Sequence, residues 1–267
     1  MRKTLVSCCL GLVAVLALVA PGSAKSPALL LPNLVPLPPS HFIGPMTGAH
    51  DAFGYAYPIP LVVNGCLPDE TARNGALRCM RFETAAANTG TGALEIAYRI
   101  EPPATNAYQV IHRADGTTTD RFAVASEFHP THAHFHFKDF YVTKLWRYAG
   151  GGKAGAEPVT SGSKSGFCPE DSGGDGPRHY SCLTDYRMGP AGPEQVVGIS
   201  AGSYDTYRVH LPDQYLEITD VPDGRYVLEI ELDPENHVQE SNERDNRVCV
   251  VIELKGDDVS GGRRIRC

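Results

Sequence analysis

Four of the ten histidines fall within eight positions, in the segment His129-Pro-Thr-His132-Ala-His134-Phe-His136. Alternate residues of a β-strand project from the same face, so His132, His134 and His136 are predicted to converge. Three imidazoles with an open coordination position suit Cu(II), Zn(II), Ni(II) or non-haem iron, and the Irving–Williams order places copper highest. The segment therefore predicts a metal site that favours copper. The alternative is a solvated histidine-rich strand, or a histidine cluster that binds metal only adventitiously.

The elements that must position these histidines have the pattern of β-strands. Apolar residues alternate with other residues in three segments, which is the period-two pattern of half-buried strands. These segments run from Leu94 to Ile100, from Tyr226 to Leu232 and from Val248 to Leu254. No window shows a helical stripe with caps. Two Gly/Ser-rich stretches, residues 149–166 and 172–177, are predicted to be long loops, which is where binding and chemistry usually lie.

Proline separates an amino-terminal arm from the rest of the chain. Residues 25–60 are rich in Pro and Leu, and repeated proline blocks both helices and central strands, so this stretch is predicted to be an extended arm on the domain. No linker divides residues 61–267, which are expected to form one domain. The predicted fold is all-β, a β-sandwich with long Gly/Ser-rich loops that is stapled by disulfides.

Residues 1–24 predict a cleavable signal peptide. Arg2 and Lys3 precede an apolar run from Leu10 to Ala20, which is too short to cross a bilayer, and small residues follow it. The segment resembles a bacterial signal peptide. The mature chain is therefore expected to be secreted or periplasmic and to carry no membrane anchor.

Six cysteines remain once Cys8 and Cys9 leave with the signal peptide. An even number of cysteines in an exported chain implies disulfides. They fall into three sequential couples separated by 13, 14 and 18 positions. These spacings favour the pairs Cys66–Cys79, Cys168–Cys182 and Cys249–Cys267. Zinc ligation by cysteine is less well supported, since the sequence has no Cys-x-x-Cys motif.

The acidic charge balance excludes one class of partner. The 267 residues carry a formal net charge of −7, which becomes −9 when residues 1–24 are removed, because that segment holds Arg2, Lys3 and no acidic residue. Nucleic acid is therefore not expected as a partner. An acidic surface instead favours the approach of cationic amines or lysine-rich chains.

Four sequence blocks in order resemble the lysyl oxidase family over about residues 33–267. The first is the histidine segment continuing to Asp139. The second is Lys164-Ser-Gly-Phe167-Cys168-Pro-Glu170-Asp171. The third is Gly202-Ser-Tyr204-Asp205-Thr206-Tyr207, followed by Ile218-Thr-Asp-Val-Pro-Asp-Gly-Arg-Tyr226. The fourth is Asp233-Pro-Glu-Asn-His-Val-Gln-Glu240-Ser-Asn242-Glu-Arg-Asp245-Asn246.

The resemblance implies a copper ion and an organic cofactor. Copper would be bound by His132, His134 and His136. Lysine tyrosylquinone, which forms when a lysine adds to an oxidised tyrosine, would be built from Lys164 and Tyr207. Taken by themselves, a lysine in a loop and a tyrosine in a sandwich would be read as a solvated side chain and a core residue.

The resemblance also implies the reaction. A primary amine condenses with the quinone, a base removes the α-proton and hydrolysis releases an aldehyde; O₂ then reoxidises the cofactor, giving ammonia and hydrogen peroxide. Asp205 is the candidate base, and His129 is its rival or a supporting group. The residues themselves leave the choice open. The expected substrate is a small primary amine or a protein lysine.

A second metal site is implied between the arm and a carboxy-terminal loop. The residues that would hold Ca²⁺ are Asn33, Leu34, Glu240, Asn242, Asp245 and Asn246. Oxygen-bearing side chains suit this ion. The family usually has aspartate at the positions of Asn33 and Asn242, so the charge available to calcium is lower here. An ordinary polar hairpin loop is the alternative.

Three functional hypotheses follow from the sequence. The first is a secreted copper- and quinone-dependent amine oxidase. The second is a non-catalytic metal-binding β-sandwich of the same fold. The third is a metalloenzyme that uses the three histidines without an organic cofactor. Retention of both Lys164 and Tyr207 favours the first, because an inert relative has no reason to keep the pair.

Overall fold

A computed structural model describes most of the chain after its first 25 residues. The described residues are 26–39, 42–43, 65–75, 78–101, 104–129, 134–137, 139–150, 153–154, 157–164, 167–176, 180–182, 185–189, 192–209 and 211–267. The predicted signal peptide, residues 1–24, therefore lies outside the described residues. No helix in the described ranges is both long and apolar enough to cross a membrane.

The described residues form twenty strands and one short helix. In chain order they are β1 (Leu29–Leu30), β2 (Leu34–Leu37), β3 (Phe42–Ile43), α1 (Pro68–Asn74), β4 (Cys79–Phe82), β5 (Thr84–Asn88), β6 (Leu94–Glu101), β7 (Ala104–Arg113), β8 (Thr118–His129), β9 (His134–His136), β10 (Tyr141–Tyr148), β11 (Lys153–Ala154), β12 (Thr160–Lys164), β13 (Gly173–Gly174), β14 (Tyr186–Gly189), β15 (Gly192–Ile199), β16 (Ser203–Tyr207), β17 (Tyr215–Glu217), β18 (Gly224–Leu232), β19 (Arg247–Lys255) and β20 (Asp258–Ile265).

Two large antiparallel sheets dominate the fold. The first has the order β14-β15-β6-β7-β8-β9, with β1 also paired to β7; the second has the order β11-β10-β18-β19-β20, with β12 also paired to β10. A four-stranded sheet, β13-β16-β5-β2, and a three-stranded sheet, β17-β4-β3, complete the fold. Side chains of both large sheets share one hydrophobic cluster, which includes Leu94 and Ile96 from the first sheet and Leu228 and Val250 from the second. The all-β expectation is confirmed.

The three predicted disulfides are all present. Cys66 pairs with Cys79, Cys168 with Cys182 and Cys249 with Cys267. Each closes a loop of fewer than 20 residues, so sequential pairing was a sound guide here. The Cys249–Cys267 bond ties the residues that follow β20 to β19, an interior strand of the second sheet.

The alternating segments are strands, but their burial differs from the expectation in two ways. Ile100, assigned to the core face with Leu94, is 65% exposed because β6 extends beyond the core at that end. Strands β18 and β19 are buried on both faces, since Val227 and Cys249 are as inaccessible as the core residues beside them. When an interior strand is covered on both faces, residues of both faces are buried. The period-two pattern identifies only the residues of one face, so it underestimates the burial of such a strand.

Two further expectations about local structure were incomplete. The predicted loop at residues 149–166 contains β11 and β12, and β12 pairs with β10 along its whole length. Helix α1 was missed because seven residues are too few to show an apolar stripe. Its signals are end signals: Pro68 begins it, Glu70 accepts a hydrogen bond from the Leu67 N–H at 2.7 Å, and Gly75 ends it at φ 66°.

The described part of the amino-terminal arm lies on the domain as short strands. β1 pairs with β7, β2 with β5 and β3 with β4. Pro36 lies in β2, which is an edge strand of its sheet and therefore tolerates a residue without an N–H. The remainder of the predicted arm, residues 25, 40–41 and 44–60, lies outside the described residues.

Candidate functional site

The described end of the histidine segment, His134–His136, is strand β9 at the edge of the first sheet, and His129 ends the neighbouring strand β8. In the β8–β9 ladder His129 lies opposite His134, and Glu127 lies opposite His136. Phe135 turns to the core side, where its ring packs against Tyr98 with centroids 5.3 Å apart. The positions of His134 and His136 therefore belong to the other face, as alternation predicts. The described part includes the half-buried His136 side chain and the backbone of His134, whereas His132 lies outside it.

A backbone bridge joins this strand to the segment that follows Lys164. The Phe137 N–H donates to the Phe167 carbonyl at 2.9 Å, and the Phe167 N–H donates to the Phe137 carbonyl at 3.2 Å. The Phe167 ring is fully buried and stacks on Phe140 with centroids 4.3 Å apart. The same ring lies 5.6 Å from the ring of Tyr207. One buried phenylalanine thus links the histidine segment to the tyrosine.

The Tyr207 phenol is held by the backbone of Cys168. Its oxygen accepts a hydrogen bond from the Cys168 N–H and donates one to the Cys168 carbonyl, both at 2.8 Å. We call this pair of bonds the Tyr207 clamp. Burial raises the pKa of the phenol well above its usual range, and the negative charge of Asp205 raises it further. The clamp therefore holds a neutral phenol in a fixed orientation.

The Cys168–Cys182 disulfide links Cys168, whose backbone forms the clamp, to Cys182. The Cys182 carbonyl accepts a hydrogen bond from Nε2 of Gln195 at 2.7 Å, and Gln195 is 3% exposed. Gln195 belongs to β15 in the interior of the first sheet, so the disulfide loop is fastened to a rigid strand.

The chain that leaves Tyr207 is anchored by a buried ion pair. Arg81 Nη1 lies 2.6 Å from Glu70 Oε2, and both side chains are almost fully buried. Arg81 Nε donates to the Val209 carbonyl at 2.6 Å, and Glu70 Oε1 accepts from the Asp213 N–H at 2.9 Å. The backbone beyond Tyr207 is therefore fixed as firmly as its phenol.

Asp205 lies in the same strand as Tyr207 and is 1% exposed. Its two carboxylate oxygens accept from Ser172 Oγ at 2.9 Å and from the Glu170 N–H at 3.4 Å. Both donors belong to the loop closed by the Cys168–Cys182 disulfide. Asp205 thus contributes a buried carboxylate beside the tyrosine and also fastens the disulfide loop to β16.

Lys164 is the last residue of β12, and its backbone lies opposite Tyr141 in the β10–β12 ladder. The structure describes this backbone and not the side chain. Three positions later comes Phe167, whose ring touches both Tyr141 and Tyr207 at centroid distances of 5.2 Å and 5.6 Å. The Lys164 backbone and the Tyr207 ring therefore flank the same aromatic core.

The candidate calcium residues form a second polar cluster. The Leu34 N–H donates to Glu240 Oε2, and Asn246 Nδ2 donates to Glu240 Oε1 at 2.8 Å. Asn33 Nδ2 donates to Asp245 Oδ2 at 3.1 Å. We call Asn33, Leu34, Glu240, Asp245 and Asn246 the arm–loop cluster, because it joins the amino-terminal arm to the loop before β19. Asn242 is exposed and accepts from the Arg244 N–H at 3.2 Å within its own turn.

The arm–loop cluster has more acceptors than donors. The side-chain oxygens Asn33 Oδ1, Asp245 Oδ1 and Asn246 Oδ1 are buried and have no hydrogen-bond partner among the described residues. Burial raises the pKa of Glu240 to about 8, and the nearby carboxylates of Glu243 and Asp233 add to the shift. Unpaired oxygens beside two carboxyl groups form the donor set that Ca²⁺ prefers, so these residues fit the ion.

Across the described ranges, no three His, Cys, Asp or Glu side chains lie close enough together to hold a metal. The candidate copper face depends on His132 and on the His134 side chain, which the structure does not describe. The donor chemistry of the segment nevertheless fits copper, because the described Phe135 and Phe137 occupy the core side and leave the histidine positions on the other.

Three residues to which the sequence analysis gave no role beside the phenol complete the site. They are Cys168, whose backbone holds the phenol; Gln195, which fastens the disulfide loop; and Tyr141, which lies opposite Lys164. Cys168 lies within a quoted motif, so its position was visible while its role was not. Gln195 and Tyr141 act through long-range strand register, for which a single sequence carries no local signal.

Known proteins resemble this chain over its central and carboxy-terminal parts. The family model described as Lysyl oxidase matches residues 105–261. Lysyl oxidase homolog 1 of Homo sapiens is 34% identical over 136 residues, which is 50% of this chain and 21% of that protein. Protein-lysine 6-oxidase of Sus scrofa is 32% identical over 130 residues, which is 49% of this chain and 47% of that protein. The match thus spans about a fifth to about half of these relatives.

Proposed function

The chain belongs to the lysyl oxidase family, and on that premise we propose that it is a secreted copper- and quinone-dependent amine oxidase. It would convert primary amines, either small amines or protein lysines, to aldehydes with release of ammonia and hydrogen peroxide. The observation that carries the proposal is the buried aromatic contact of Phe167. The backbone of Phe167 is hydrogen-bonded to Phe137, which directly follows the histidine segment. Phe167 also follows Lys164 by three positions, and its ring packs against Tyr207.

In this proposal His132, His134 and His136 hold copper, and Lys164 and Tyr207 provide the quinone. When bound, these groups supply the oxidising chemistry, taking two electrons from the amine and passing them to O₂. The protein contributes orientation. The Tyr207 clamp fixes the ring, and the fully buried Phe167 excludes water from one side of it.

Asp205 is the proposed base for removal of the α-proton. It is a buried carboxylate beside Tyr207. After burial itself, the negative charge of Asp205 is the largest cause that raises the pKa of that phenol. His129 remains the rival, because its backbone lies opposite His134 on the metal strand. The hydrogen bonds from Ser172 Oγ and the Glu170 N–H hold the Asp205 carboxylate in place beside the ring.

We also propose that the arm–loop cluster binds Ca²⁺. The support is the three buried oxygens without partners together with the two carboxyl groups of Glu240 and Asp245. The ion would fasten the arm to the loop that precedes β19. Leu34 takes part through its backbone, and Asn242, which is exposed in this structure, would join as a further ligand.

The expected partners follow from the charge. A formal net charge of −9, reached when residues 1–24 are removed from the chain of charge −7, favours cationic amines, either free or as lysine side chains, with O₂ as the second substrate. Three disulfides are consistent with an oxidising compartment outside the cytosol. We therefore propose an extracellular or periplasmic location, reached through residues 1–24 as a signal peptide.

The decisive experiment is intact-mass spectrometry with peptide mapping of the secreted, copper-loaded protein after exposure to air. The proposal expects a covalent bond between the Lys164 and Tyr207 peptides. Phenylhydrazine should then label the protein stoichiometrically, whereas a Lys164→Arg variant should remain unlabelled. Copper bound at full occupancy without any cross-link or label would contradict the proposal and favour a non-catalytic metal-binding β-sandwich.

A further inference from the structure

Tyr141 is the first residue of β10 and one of the most deeply buried aromatic side chains, with 1% exposure. Its ring meets Phe140 and Phe167 edge-on, with centroids 5.8 Å and 5.2 Å away. No function is required of a tyrosine in this apolar setting, because phenylalanine would fill the same volume. The hydroxyl is therefore the part that needs an explanation.

That hydroxyl has no hydrogen-bond partner among the described residues. Thr84 is the polar side chain beside it: its contact lowers the pKa of Tyr141, although the two hydroxyls fall short of a hydrogen bond, and the Thr84 hydroxyl accepts from Gln214 Nε2 at 2.8 Å. A buried polar group without a partner costs free energy, and native proteins rarely keep one without a reason.

Tyr141 lies near both residues of the proposed cofactor. Tyr141 lies opposite Lys164 in the β10–β12 ladder. It shares Phe167 as a ring neighbour with Tyr207. The charge of Asp205 raises the pKa of Tyr141 and of Tyr207, after burial, which is the largest cause for both. The two phenols therefore share one buried neighbourhood, and Tyr141 is neutral there and able to donate.

The Tyr207 clamp explains why a second donor is needed. A quinone made from tyrosine carries a second oxygen on the ring, next to the original one. The original oxygen is already bonded to both backbone groups of Cys168. The added oxygen would enter a buried site as an acceptor, and it would require a donor of its own.

We propose that the Tyr141 hydroxyl is the hydrogen-bond donor to the second quinone oxygen on the Tyr207 ring. This inference rests on the proposed function. It makes Tyr141 a cofactor-contacting residue whose hydrogen bond is absent from the unprocessed protein and forms only as the ring is oxidised. Stabilisation of an oxygen that develops during the reaction accelerates its formation.

The test compares Tyr141→Phe with Tyr98→Phe. Tyr98 is a matched control: it is 1% exposed, its hydroxyl also lacks a partner among the described residues, and burial alone raises its pKa, with no contribution from Asp205. In the copper-free protein both variants should keep the melting temperature or raise it slightly, because each removes an unsatisfied hydroxyl.

After copper loading in air, the two variants should separate. Tyr141→Phe should form the phenylhydrazine-reactive quinone at least about tenfold more slowly than wild type, the loss expected when one buried hydrogen bond is missing. Its C=O stretching band in resonance Raman should move to higher frequency. Tyr98→Phe should match wild type in both measurements.

The outcomes distinguish this inference from the proposed function. A wild-type protein that binds copper but forms no quinone contradicts the amine oxidase proposal itself. A wild-type protein that forms the quinone, together with a Tyr141→Phe variant of equal rate and identical C=O band, overturns the role of Tyr141 alone. A melting temperature of copper-free Tyr141→Phe that falls well below that of Tyr98→Phe would also overturn it, since the hydroxyl would then be paired before oxidation.

Discussion

The Tyr207 clamp and the arm–loop cluster are both buried and polar, and they differ in how their hydrogen bonds close. In the clamp, the single phenol oxygen gives one bond and receives one, and Cys168 supplies both partners. In the arm–loop cluster, three side-chain oxygens accept no hydrogen bond from any described residue. They are the Oδ1 atoms of Asn33, Asp245 and Asn246. The first arrangement is complete without a ligand, whereas the second has an excess of acceptors.

This difference indicates what each region requires. A closed set of bonds fixes a reactive ring before any cofactor is present, so the protein is organised in advance for chemistry on Tyr207. An open set of oxygens costs stability until a cation neutralises it. The clamp should therefore respond to changes in its own residues, and the arm–loop cluster should respond to calcium and to pH.

The largest expected effect comes from Tyr207→Phe. Phenylalanine has no oxygen from which the quinone could be made, so amine oxidation and the cross-link to Lys164 should both be lost. Peptide mapping and a peroxide assay measure these two losses. Tyr204→Phe is the control, since Tyr204 lies in the same strand, is 38% exposed and should keep full activity. Turnover by Tyr207→Phe at more than a thousandth of the wild-type rate would show that the quinone is not made from this residue.

The next effect concerns Glu240 and pH. In calcium-free protein the pKa of Glu240 is about 8, above the carboxyl value of 4.5, so between these values the folded protein holds a proton that the unfolded chain has lost. The free energy of unfolding should therefore fall as pH rises from about 5 to about 8, by on the order of 4 kcal/mol. Calcium should oppose this fall and raise the melting temperature most at the alkaline end, because it binds the ionised carboxylate.

Urea titrations at several pH values, with calcium and with chelator, measure this slope. Glu240→Gln should remove its contribution, whereas Glu253→Gln, at an exposed position of β19, should not. The difference between variant and wild type also separates Glu240 from His112, whose pKa is raised chiefly by its hydrogen bond to Glu95 and which therefore contributes a slope of the same sign. An unchanged slope in Glu240→Gln would show that this carboxyl does not control the stability of the cluster.

A smaller effect is expected from the disulfide behind the clamp. Replacing Cys168 and Cys182 together with serine should lower the free energy of unfolding by about 3 kcal/mol, as expected for a loop of this size. Replacing Cys249 and Cys267 should cost about the same. Only the first pair should also slow quinone formation, because only that pair supports the backbone that holds Tyr207. Equal quinone rates in the two double variants would mean that the clamp does not depend on its disulfide.

The sequence predicted the parts of this molecule that depend on local pattern. Alternation located β6, β18 and β19, and sequential spacing identified all three cysteine pairs. In the described part of the histidine segment, Phe135 of β9 turns to the core, as the period-two pattern predicts; the convergence of His132, His134 and His136 stays a prediction, since His132 lies outside the described residues. These successes share a cause: each signal lies within about 20 residues, and geometry within that distance is set by backbone periodicity or loop closure.

The remaining parts depend on which strand lies beside which, and local pattern does not encode that. Lys164 lies opposite Tyr141 only because β12 returns along β10. Residues 160–164, which were predicted to be part of a loop, form strand β12 for the same reason, because they pair with β10 of the second sheet. The exposure of Ile100 was likewise set by where the core ends. Tertiary context decided each of these outcomes.

The smallest expected effect is that of Asn33→Asp, and it tests the contrast between the two clusters most directly. Asn33 donates to Asp245 Oδ2 at 3.1 Å and to Thr89 Oγ1 at 2.8 Å, while its own Oδ1 has no described partner. Aspartate would replace this donor with a second negative charge. Without calcium, the free energy of unfolding should fall by about 1 kcal/mol, because two carboxylates then face each other.

With calcium, the same substitution should strengthen binding by about tenfold, because a charged oxygen replaces a neutral one in the ligand set. Calorimetric titration measures the affinity, and melting curves with and without calcium measure the stability. Asn236→Asp adds the same charge at an exposed, positive-φ position outside the cluster and should change neither quantity appreciably. If Asn33→Asp loses stability that calcium does not restore, the excess oxygens of the arm–loop cluster are not cation ligands, and the cluster would have to be regarded as an imperfectly satisfied contact between arm and loop.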